Sequence, residues 1–488
     1  MNMPDCFEIL HKDLAGRIGR LSTPHGVVET PVLMPVVNPH LQIITAPELE
    51  KMGAGMLITN SYIINQDRTT RSLALEKGLH SLLGFDGPIM TDSGAFQLSV
   101  YGNVSVEPLE ILEFQYAIKS DVCVPLDIPT PPDVSKDRAE SELKETERRL
   151  VEALEHKGPG LLAGPIQGST YPDLRESAAR ALGEMGFDIY PVGAVVPLME
   201  AYRFSDLVEV VAASKAGLLS GAPVHLFGAG HPMVFALAAA MGCDLFDSAA
   251  YALFARQGRY LTPRGTWKIE EMKYLPCPCQ VCQSHTQEEL MKSPERIKLL
   301  AIHNLYVSFA EIKLVKQSIR EGSLWELLES RCRSHPRMLD GFKRLVSKSD
   351  WIEKLDYNSK STFFYLSPES AKRPEVMRYG SRIGRLKLNG NVLITDEIDP
   401  RDAEEFDQVL KFKPPFGPYP AELSETYPLN AEVPDSPDRD AVDQAMRNTK
   451  MLMEANPDAR FSLRLNCLKD QEPMQGMSDS KLQEECDR

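Results

Sequence analysis

Three cysteines lie close together in the sequence at a spacing that suits a metal ion. Cys277, Cys279 and Cys282 form a C-x-C-x-x-C pattern, and His303 follows in an Ile-His-Asn-Leu run. Thiolate and imidazole are ligands that Zn²⁺ prefers, and four of them complete a tetrahedral structural site with no open position for water. His285 is the alternative fourth ligand, but only two residues separate it from Cys282. The pattern therefore predicts one structural zinc ion per chain, bound by the three cysteines and His303.

Several short apolar runs end on a polar residue or a glycine, and these end residues suggest further chemistry. These residues are Asn60, Asp92, Asp127, Gln167, Gly193, Gly228 and Asp247. Three of them are carboxylates, and paired carboxylates permit glycosidic chemistry. One can attack an anomeric carbon while another moves a proton to or from the leaving group. An aspartate beside a glutamine can also read the edge of a flat heterocycle, and aromatic faces can enclose it.

Each of these residues also has a simpler interpretation. Asp92 and Asp247 could be helix caps, and Asp127 could be a solvated acid in a proline-rich loop. Gln167 could satisfy backbone groups. Phe96 and Phe227, which lie next to these positions, could simply pack in the core. The chemical interpretation therefore requires an architecture that brings the residues together.

The apolar runs alternate with amphipathic stretches, which is typical of repeated strand–helix units. The predicted strands are Pro31–Val36, Met56–Asn60, Pro88–Asp92, Asp121–Asp127, Leu161–Gln167, Asp188–Gly193, Pro223–Gly228 and Cys243–Asp247. The predicted helices are Thr69–Leu83, Pro108–Ser120, Ser135–Lys157 (with Ser135 as N-cap), Tyr171–Gly186, Phe204–Leu218 and His231–Gly242. Eight alternations over about 250 residues predict a (β/α)₈ TIM barrel, whose chemistry lies at the carboxyl ends of the strands. A doubly wound sheet is the alternative, but no G-x-G-x-x-G opens the first unit.

The motifs, taken in order, resemble those of a known enzyme family. They are the Met90–Gln97 run MTDSGAFQ, the Phe246-Asp247 strand end and the cysteine–histidine pattern. Together they resemble the tRNA-guanine transglycosylases, and most closely the archaeal, archaeosine-type members. The resemblance covers residues from about 7 to 345 and continues more weakly beyond. Ala95 and the Val195–Glu200 run differ from the bacterial pattern and point away from the anticodon-modifying type.

The resemblance implies a role for each matching residue. Asp247 would be the nucleophile that attacks C1′ of a guanosine in tRNA, and Asp92 would be the general acid/base. Asp127 and Gln167 would bind the base edge. The main-chain wall of the base pocket would be formed by Gly193, Ala194 and Val195, and the stacking pair would be Phe96 and Phe227. The incoming base would be 7-cyano-7-deazaguanine, exchanged for guanine at position fifteen in the D-arm, and the zinc subdomain would support a homodimer.

The resemblance and the residue pattern together predict three regions. Residues 1–345 would form the catalytic barrel with a zinc-binding subdomain at about 255–310, residues 346–435 a smaller α+β domain, and residues 436–488 a helix and a polar tail. Longer archaeal relatives end in an RNA-binding PUA domain, which the last segment is too short to contain. We therefore expect either the basic zone, residues 256–348, or a separate PUA-domain protein to assist tRNA docking.

Composition indicates where the protein resides and whether its surface suits nucleic acid. The chain has 488 residues, 43% of them hydrophobic, with nine cysteines and a net charge of −15. It has no apolar run of transmembrane length and no secretory signal, so we expect a cytoplasmic protein outside the membrane. Residues 256–348 are locally basic despite the acidic total, which suits either contacts with phosphates or an ordinary solvated surface.

Two other functions compete with base exchange. An archaeosine synthase-like paralogue would modify the inserted base, and a non-catalytic tRNA-binding subunit would use the same scaffold without chemistry. The presence of both Asp92 and Asp247 favours base exchange over either alternative.

Overall fold

The computed structural model describes residues 5–95, 107–357, 359–361 and 363–466. The chain divides into two compact units. The first comprises Met1–Arg320 with Leu327–Leu345, and the second comprises Glu321–Glu326 with Val346–Arg488. Within the described ranges, none of the helices combines the length and the apolar character that a membrane span requires.

The first unit begins with an antiparallel sheet that the strand–helix pattern did not predict. Its strands are β1 (Phe7–Asp13), β2 (Gly16–Thr23) and β3 (Gly26–Thr30), paired in sequence order. Phe7, Leu21 and Val28 of this sheet share one buried cluster with Met56 and Leu245, which precede or begin barrel strands. The sheet therefore covers the amino-terminal end of the barrel, and the opposite end remains for the candidate site.

Eight parallel strands follow and form the predicted barrel. They are β4 (Val32–Val37), β5 (Leu57–Asn60), β6 (Ile89–Asp92), β7 (Val122–Cys123), β8 (Leu161–Leu162), β9 (Tyr190–Val192), β10 (Val224–Leu226) and β11 (Leu245–Ser248). Neighbours pair in sequence order, and β11 pairs with β4. Bridges between Ala163 and Ile189 and between Ile166 and Val192 join β8 to β9 and close the cylinder. The TIM barrel is thus confirmed, and the doubly wound sheet is wrong.

Several strands are much shorter than predicted. The predicted strand Asp121–Asp127 keeps regular pairing only over Val122–Cys123, and the predicted strand Leu161–Gln167 keeps it only over Leu161–Leu162. Pro125 and Pro165 interrupt these runs, and proline has no backbone N–H to donate to a ladder. Asp127 and Gln167 consequently lie in the loops that follow β7 and β8 rather than on the strands themselves.

The helices lie close to their predicted positions. Those up to residue 256 are α1 (Ala46–Lys51), α2 (Ser61–Gln66), α3 (Arg68–Lys77), α4 (Leu79–Leu83), α5 (Pro108–Ala117), α6 (Lys136–Glu155), α7 (Pro172–Met185), α8 (Val196–Glu200), α9 (Phe204–Gly217), α10 (Pro232–Ala240) and α11 (Ala250–Arg256). The Ser135 side chain caps α6 by accepting from the Arg138 N–H, as predicted. The single helix predicted over Thr69–Leu83 is wrong, because Gly78 at φ 82° separates α3 from α4.

After the barrel strands the chain forms a small hairpin and a group of helices. The hairpin pairs β12 (Arg259–Thr262) with β13 (Gly265–Lys268). The helices that follow are α12 (Gln280–Ser284), α13 (Gln287–Lys292), α14 (Arg296–Glu321), α15 (Leu324–Cys332), α16 (Pro336–Val346) and α17 (Ser349–Glu353).

The second unit contains a four-stranded mixed sheet with helices. Its elements are α18 (Pro374–Arg382), β14 (Asn391–Thr395), α19 (Asp402–Glu405), β15 (Gln408–Lys413), β16 (Gly417–Pro420), α20 (Arg439–Glu454) and β17 (Arg460–Arg464). The strand order is β16-β15-β14-β17. Val392, Ile394 and Phe461 of the sheet share a buried cluster with Ala445 and Leu452 of α20. This arrangement is the α+β fold expected for the region after the barrel.

Candidate active site and metal centre

The candidate site residues lie at the carboxyl end of the barrel, as the fold requires. Asp92 is the last residue of β6 and Asp247 lies in β11. Asp127, Gln167, Gly193 and Gly228 lie in the loops after β7, β8, β9 and β10, respectively. Because parallel strands all end at the same rim, these residues converge although the chain separates them widely.

Asp247 is held in place by two N–H donors on one oxygen. His225 Nε2 lies 2.9 Å from Asp247 Oδ1, and the Gly228 backbone N–H donates to the same oxygen at 2.7 Å. Gly228 adopts φ 67°, and a Cβ there would collide with Val196. Asp247 is only 8% exposed, so this carboxylate is fixed in orientation and largely shielded from water. His225 was not among the predicted site residues.

Asp92 makes longer hydrogen bonds than Asp247, and its pKa is raised. Asn60 Nδ2 lies 3.3 Å from Asp92 Oδ2, and the Gly94 backbone N–H lies 3.4 Å from Oδ1. Burial raises the pKa of Asp92 to about 7, and the negative charges of Asp127 and Asp247 add to this shift. A carboxyl group with such a pKa exchanges protons readily near neutral pH, which suits a general acid/base.

Asp127 and Gln167 form a buried pair. Gln167 Nε2 donates to Asp127 Oδ2 at 2.6 Å, while Gln167 Oε1 is buried and accepts from none of the described residues. Burial raises the pKa of Asp127, and the bond from Gln167 opposes that shift. Gly193 packs so closely against this pair that a Cβ would collide with Gln167 Nε2. The pair offers a carboxylate acceptor and an unused amide oxygen, which suits the N–H-rich edge of a heterocycle.

The remaining predicted residues follow β9 and β10, with one exception. Ala194 adopts φ 57° and Val195 is fully buried, so the chain turns sharply between β9 and α8. Phe227 is partly buried, and its ring contacts the His225 ring edge-on with centroids 4.5 Å apart. Phe96 lies outside the described residues.

Arg175 is a further residue that the sequence reasoning missed. Its fully buried guanidinium donates to the carbonyls of Ile166 (2.7 Å), Ser169 (2.8 Å) and Gly193 (3.0 Å). These bonds tie the loop after β8 to the end of β9, on both sides of Gln167. Burial lowers the pKa of Arg175 to about 9, and the charge of Asp127 opposes this shift. A sequence signal did exist, because Arg175 lies three and four residues before Ala178 and Ala179 on the buried face of α7.

The cysteine–histidine motif forms a compact cluster that fits a metal ion. The ligand atoms of Cys277, Cys279, Cys282 and His303 all lie within 4.8 Å of one another. His303 Nδ1 is 3.5 Å from Cys279 Sγ and 3.4 Å from Cys282 Sγ. A tetrahedral ion with bonds of about 2.1–2.3 Å separates its ligands by roughly 3.4–3.8 Å, so the observed spacing suits such an ion.

Neighbouring groups orient the histidine ligand. His303 Nε2 lies 3.1 Å from the Leu261 carbonyl, which leaves Nδ1 free of its hydrogen and directed at the cysteines. The Tyr260 ring stacks on the His303 ring at 3.6 Å between centroids. His285, the alternative ligand, lies outside the cluster, and its Nδ1 is 3.0 Å from the Val281 carbonyl.

The basic zone is partly neutralised within the first unit. Lys316 pairs with Glu29 at 3.0 Å, Arg331 with Glu311 at 2.7 Å, and Arg344 with Glu209. By contrast, six exposed cations of residues 256–348 form no ion pair with any described residue: Arg256, Arg259, Arg264, Lys273, Lys313 and Arg320. The number of charges available to phosphate is therefore smaller than the sequence suggests.

A barrel with three carboxylates on its rim and a Cys₃His cluster defines a class of glycosyl-transferring enzyme. Comparison with known proteins narrows this class. The family model described as "Queuine tRNA-ribosyltransferase" matches residues 13–337. The chain belongs to the tRNA-guanine transglycosylase family, and it is therefore an enzyme, a transglycosylase of the pentosyltransferase class.

Similar proteins span almost the whole chain. A tRNA-guanine(15) transglycosylase of Methanosarcina barkeri is 58% identical over 462 residues, which cover 94% of each chain. A protein of the same name from Haloferax volcanii is 54% identical, over 94% of this chain and 90% of its own. The one from Methanocaldococcus jannaschii is 50% identical over 88% of this chain but only 68% of its own. The resemblance to the archaeal members is thereby confirmed.

Proposed function

We propose that this enzyme exchanges guanine at position 15 of tRNA for 7-cyano-7-deazaguanine through a covalent bond between Asp247 and the ribose. The observation that carries the proposal is the contrast between two carboxylates on one rim. Asp247 is held by two N–H donors, whereas Asp92 has a pKa raised to about 7. The first suits a nucleophile and the second suits a proton carrier. The relatives are named tRNA-guanine(15) transglycosylases, which supports guanine 15 as the target.

The exchange would proceed in two displacements. A lone pair of the Asp247 carboxylate attacks C1′ of the guanosine, the C1′–N9 bond breaks, and its electron pair goes to N9. The leaving guanine takes the proton of the Asp92 carboxyl group. The incoming base then returns a proton from its N9 to Asp92, and its N9 lone pair attacks C1′. The C1′–O bond breaks and its electrons return to Asp247, so both carboxyl groups end as they began.

Asp127 and Gln167 would read the edge that guanine and its 7-deaza analogues share. A guanine-like base presents N–H donors at N1 and the 2-amino group, and an ionised carboxylate accepts two such bonds. Gln167 Oε1, buried without a partner among the described residues, would accept a further N–H. Both side chains are 7% exposed or less, so an unsuitable base would leave polar groups unpaired.

The segment after β9 would sense the substituent at the 7-position of the base. Its residues Gly193, Ala194, Val195 and Val196 carry no charge, and Glu200 at the end of α8 is exposed. A charged aminomethyl group buried against this wall would have no carboxylate partner there, which is costly. A neutral cyano group avoids that cost. A side-by-side incorporation assay with the two deazaguanines tests this, and preference for the aminomethyl base would contradict the archaeosine-type assignment.

The Cys₃His cluster would hold zinc in a structural role. The ion would be held by Cys277, Cys279, Cys282 and His303, and four protein ligands leave no position for a substrate or a water. Zinc bound there would stabilise the local fold. We propose that the resulting subdomain supports a homodimer, and that a separate PUA-domain protein assists tRNA docking. Light scattering of the enzyme with and without tRNA measures whether it is a dimer. The affinity for tRNA with and without a PUA-domain protein measures whether such a protein assists docking.

One experiment separates base exchange from its alternatives. Purified enzyme is incubated with tRNA and labelled guanine, and the RNA is examined for label. A second sample is denatured and examined for a protein–RNA adduct. The wild type should give both, whereas Asp247→Asn should bind tRNA but give neither. Label-free RNA from the wild type would favour the archaeosine synthase-like paralogue or the non-catalytic subunit, and a normal adduct in Asp247→Asn would place the nucleophile elsewhere.

A further inference from the structure

We infer that His225 is a positioning residue that selects the attacking oxygen of Asp247. The inference rests on the proposed function, because it concerns how the nucleophile of that reaction is presented. His225 and the Gly228 backbone both place an N–H on Oδ1, at 2.9 and 2.7 Å. Among the described residues no donor reaches Oδ2. Oδ2 is therefore the oxygen with free lone pairs, and it is the one that attacks C1′.

The surroundings of the histidine fix which ring nitrogen carries the hydrogen. His225 is fully buried, and its Nδ1 has no partner among the described residues. A hydrogen on Nδ1 would be an unsatisfied buried donor, which is unfavourable. A hydrogen on Nε2 instead points at a carboxylate oxygen. The neutral Nε2–H tautomer is thus assigned, and it makes His225 a donor to Asp247.

The position of the ring is set by the barrel itself. His225 lies in the middle of β10, and β10 pairs in parallel with β11, which carries Asp247. Phe227 contacts the imidazole edge-on. A side chain on a short strand inside a closed barrel has little freedom, so the donor remains in place before the substrate arrives. Such preorganisation matters because a misplacement of about 1 Å can cost a factor of roughly 100 in rate.

The hydrogen bonds to Oδ1 contribute unequally to the two displacements. In the first, the Oδ2 lone pair forms the bond to C1′ while N9 takes the electrons of the broken C1′–N9 bond. Oδ1 then becomes the ester carbonyl oxygen. In the second, the C1′–Oδ2 bond breaks and the carboxylate charge returns, shared between both oxygens. Hydrogen bonds to Oδ1 stabilise that returning charge, so His225 assists the release of the ribose more than the initial attack.

The test compares three single variants of the full-length enzyme. His225→Phe keeps an aromatic ring but removes the donor, and His225→Gln restores an N–H at a similar reach. His80→Phe is the matched control, because His80 Nε2 also lies 2.9 Å from a buried carboxylate, Asp121, at the amino-terminal end of the barrel. Pre-formed adduct is chased with unlabelled guanine, and kcat, KM for tRNA and the chase rate are measured for each variant.

His225→Phe should lower kcat by roughly 10- to 100-fold with KM for tRNA nearly unchanged, and it should slow the chase of adduct more than its formation. His225→Gln should recover most of both rates. His80→Phe should lower thermal stability but leave both rates within about twofold of the wild type. Equal slowing of both steps, or no rescue by glutamine, would overturn the positioning role. If the wild type itself formed no adduct, the proposed function would fail instead, which is a different result.

Discussion

At the scale of single residues, the two rim carboxylates Asp92 and Asp247 have different surroundings. Asp92 is half-buried, and its desolvation together with the negative charges of Asp127 and Asp247 raises its pKa to about 7. Asp247 accepts two N–H bonds on one oxygen. Two chemically identical side chains on one rim are thereby suited to different tasks, because one holds a proton near neutral pH and the other is an anchored acceptor.

The acidity of Asp92 predicts the pH dependence of the first displacement. In the proposed exchange the protonated form of Asp92 donates to the leaving guanine. The single-turnover rate of adduct formation should therefore be highest below pH 7 and decline as pH rises through about 7. Asp92→Asn should form adduct at least about 100-fold more slowly and lose this pH dependence. Rapid quench across the pH range measures both. An unchanged pH profile in Asp92→Asn would assign the proton to another group.

The raised pKa of Asp92 also makes the stability of the fold depend on pH. Measuring that dependence is a control for the folding of the Asp92 variant. The folded chain holds the Asp92 proton in the window from about 4 to about 7, where the unfolded chain has already lost it. The wild type therefore loses stability as pH rises across that window. Asp92→Asn should escape this loss, so its melting temperature relative to the wild type should rise between about pH 4 and about pH 8.

Asp127 should control the use of the base rather than the use of tRNA. Asp127→Ala should lower incorporation of guanine and of 7-cyano-7-deazaguanine alike, by at least about tenfold, because Gln167 loses its partner and the base loses its acceptor. Burial raises the pKa of Asp127, so in the wild type base affinity should fall as pH decreases, beginning at higher pH than for an exposed aspartate. KM for each base, measured against pH, tests this. Selective loss of one base only would contradict a shared-edge contact.

At the scale of elements, Arg175 joins the loops on both sides of Gln167, which we propose binds the base. Arg175→Met would remove the guanidinium N–H groups from three carbonyls, of which, among the described residues, only that of Ile166 keeps a further donor, the Gly193 N–H. It would also remove a positive charge near Asp127. We expect KM for the base to rise at least about tenfold with tRNA affinity unchanged, since an unsatisfied buried group costs about 1–3 kcal/mol. Arg175→Lys should restore the charge but not all the bonds. Arg180→Met, on the exposed face of the same helix, is the control and should change neither value.

The metal cluster should stabilise its own surroundings. Cys279→Ala removes one of four ligands, so the variant should lose bound zinc and melt at lower temperature, because ligation and local folding are coupled. Metal content by mass spectrometry and the melting curve measure this, and Cys243→Ala, at a buried cysteine outside the cluster, is the control for lost thiol volume. Chelation that removed all zinc without changing either melting or base exchange would contradict a structural role.

The elements were largely predictable from the sequence, because each apolar run must be buried and each intervening stretch is amphipathic. The strand lengths were not predictable in the same way. Hydrophobicity alone predicts strands that run through Pro125 and Pro165, but each proline interrupts the backbone pairing. His225 and Arg175 were missed because both look like isolated polar residues in buried segments. Their partners, Asp247 and the Gly193 carbonyl, become neighbours only when the barrel closes. The β1–β3 sheet was missed because the pattern of strand–helix units does not include it.

At the scale of the whole molecule, a net charge of −15 has to be reconciled with an RNA substrate. Non-specific attraction to RNA comes from cations that are free to replace the counterions of phosphates. Many cations of residues 256–348 instead pair with acids of the same unit. Affinity for tRNA should therefore depend on the few exposed cations that lack such pairs, rather than on the total charge.

The unpaired cations should set the salt dependence of tRNA binding. Neutralising Arg256 and Arg259 together should weaken binding and flatten the log–log salt slope by about one unit per lost phosphate contact. Both are exposed, and neither forms an ion pair with a described residue. Neutralising Lys343 and Arg344 removes the same total charge, but Arg344 already pairs with Glu209, so the slope should change less. Fluorescence titrations at several salt concentrations measure both slopes. Equal changes in the two double variants would show that only net charge matters, and no change in either would make residues 256–348 an ordinary solvated surface.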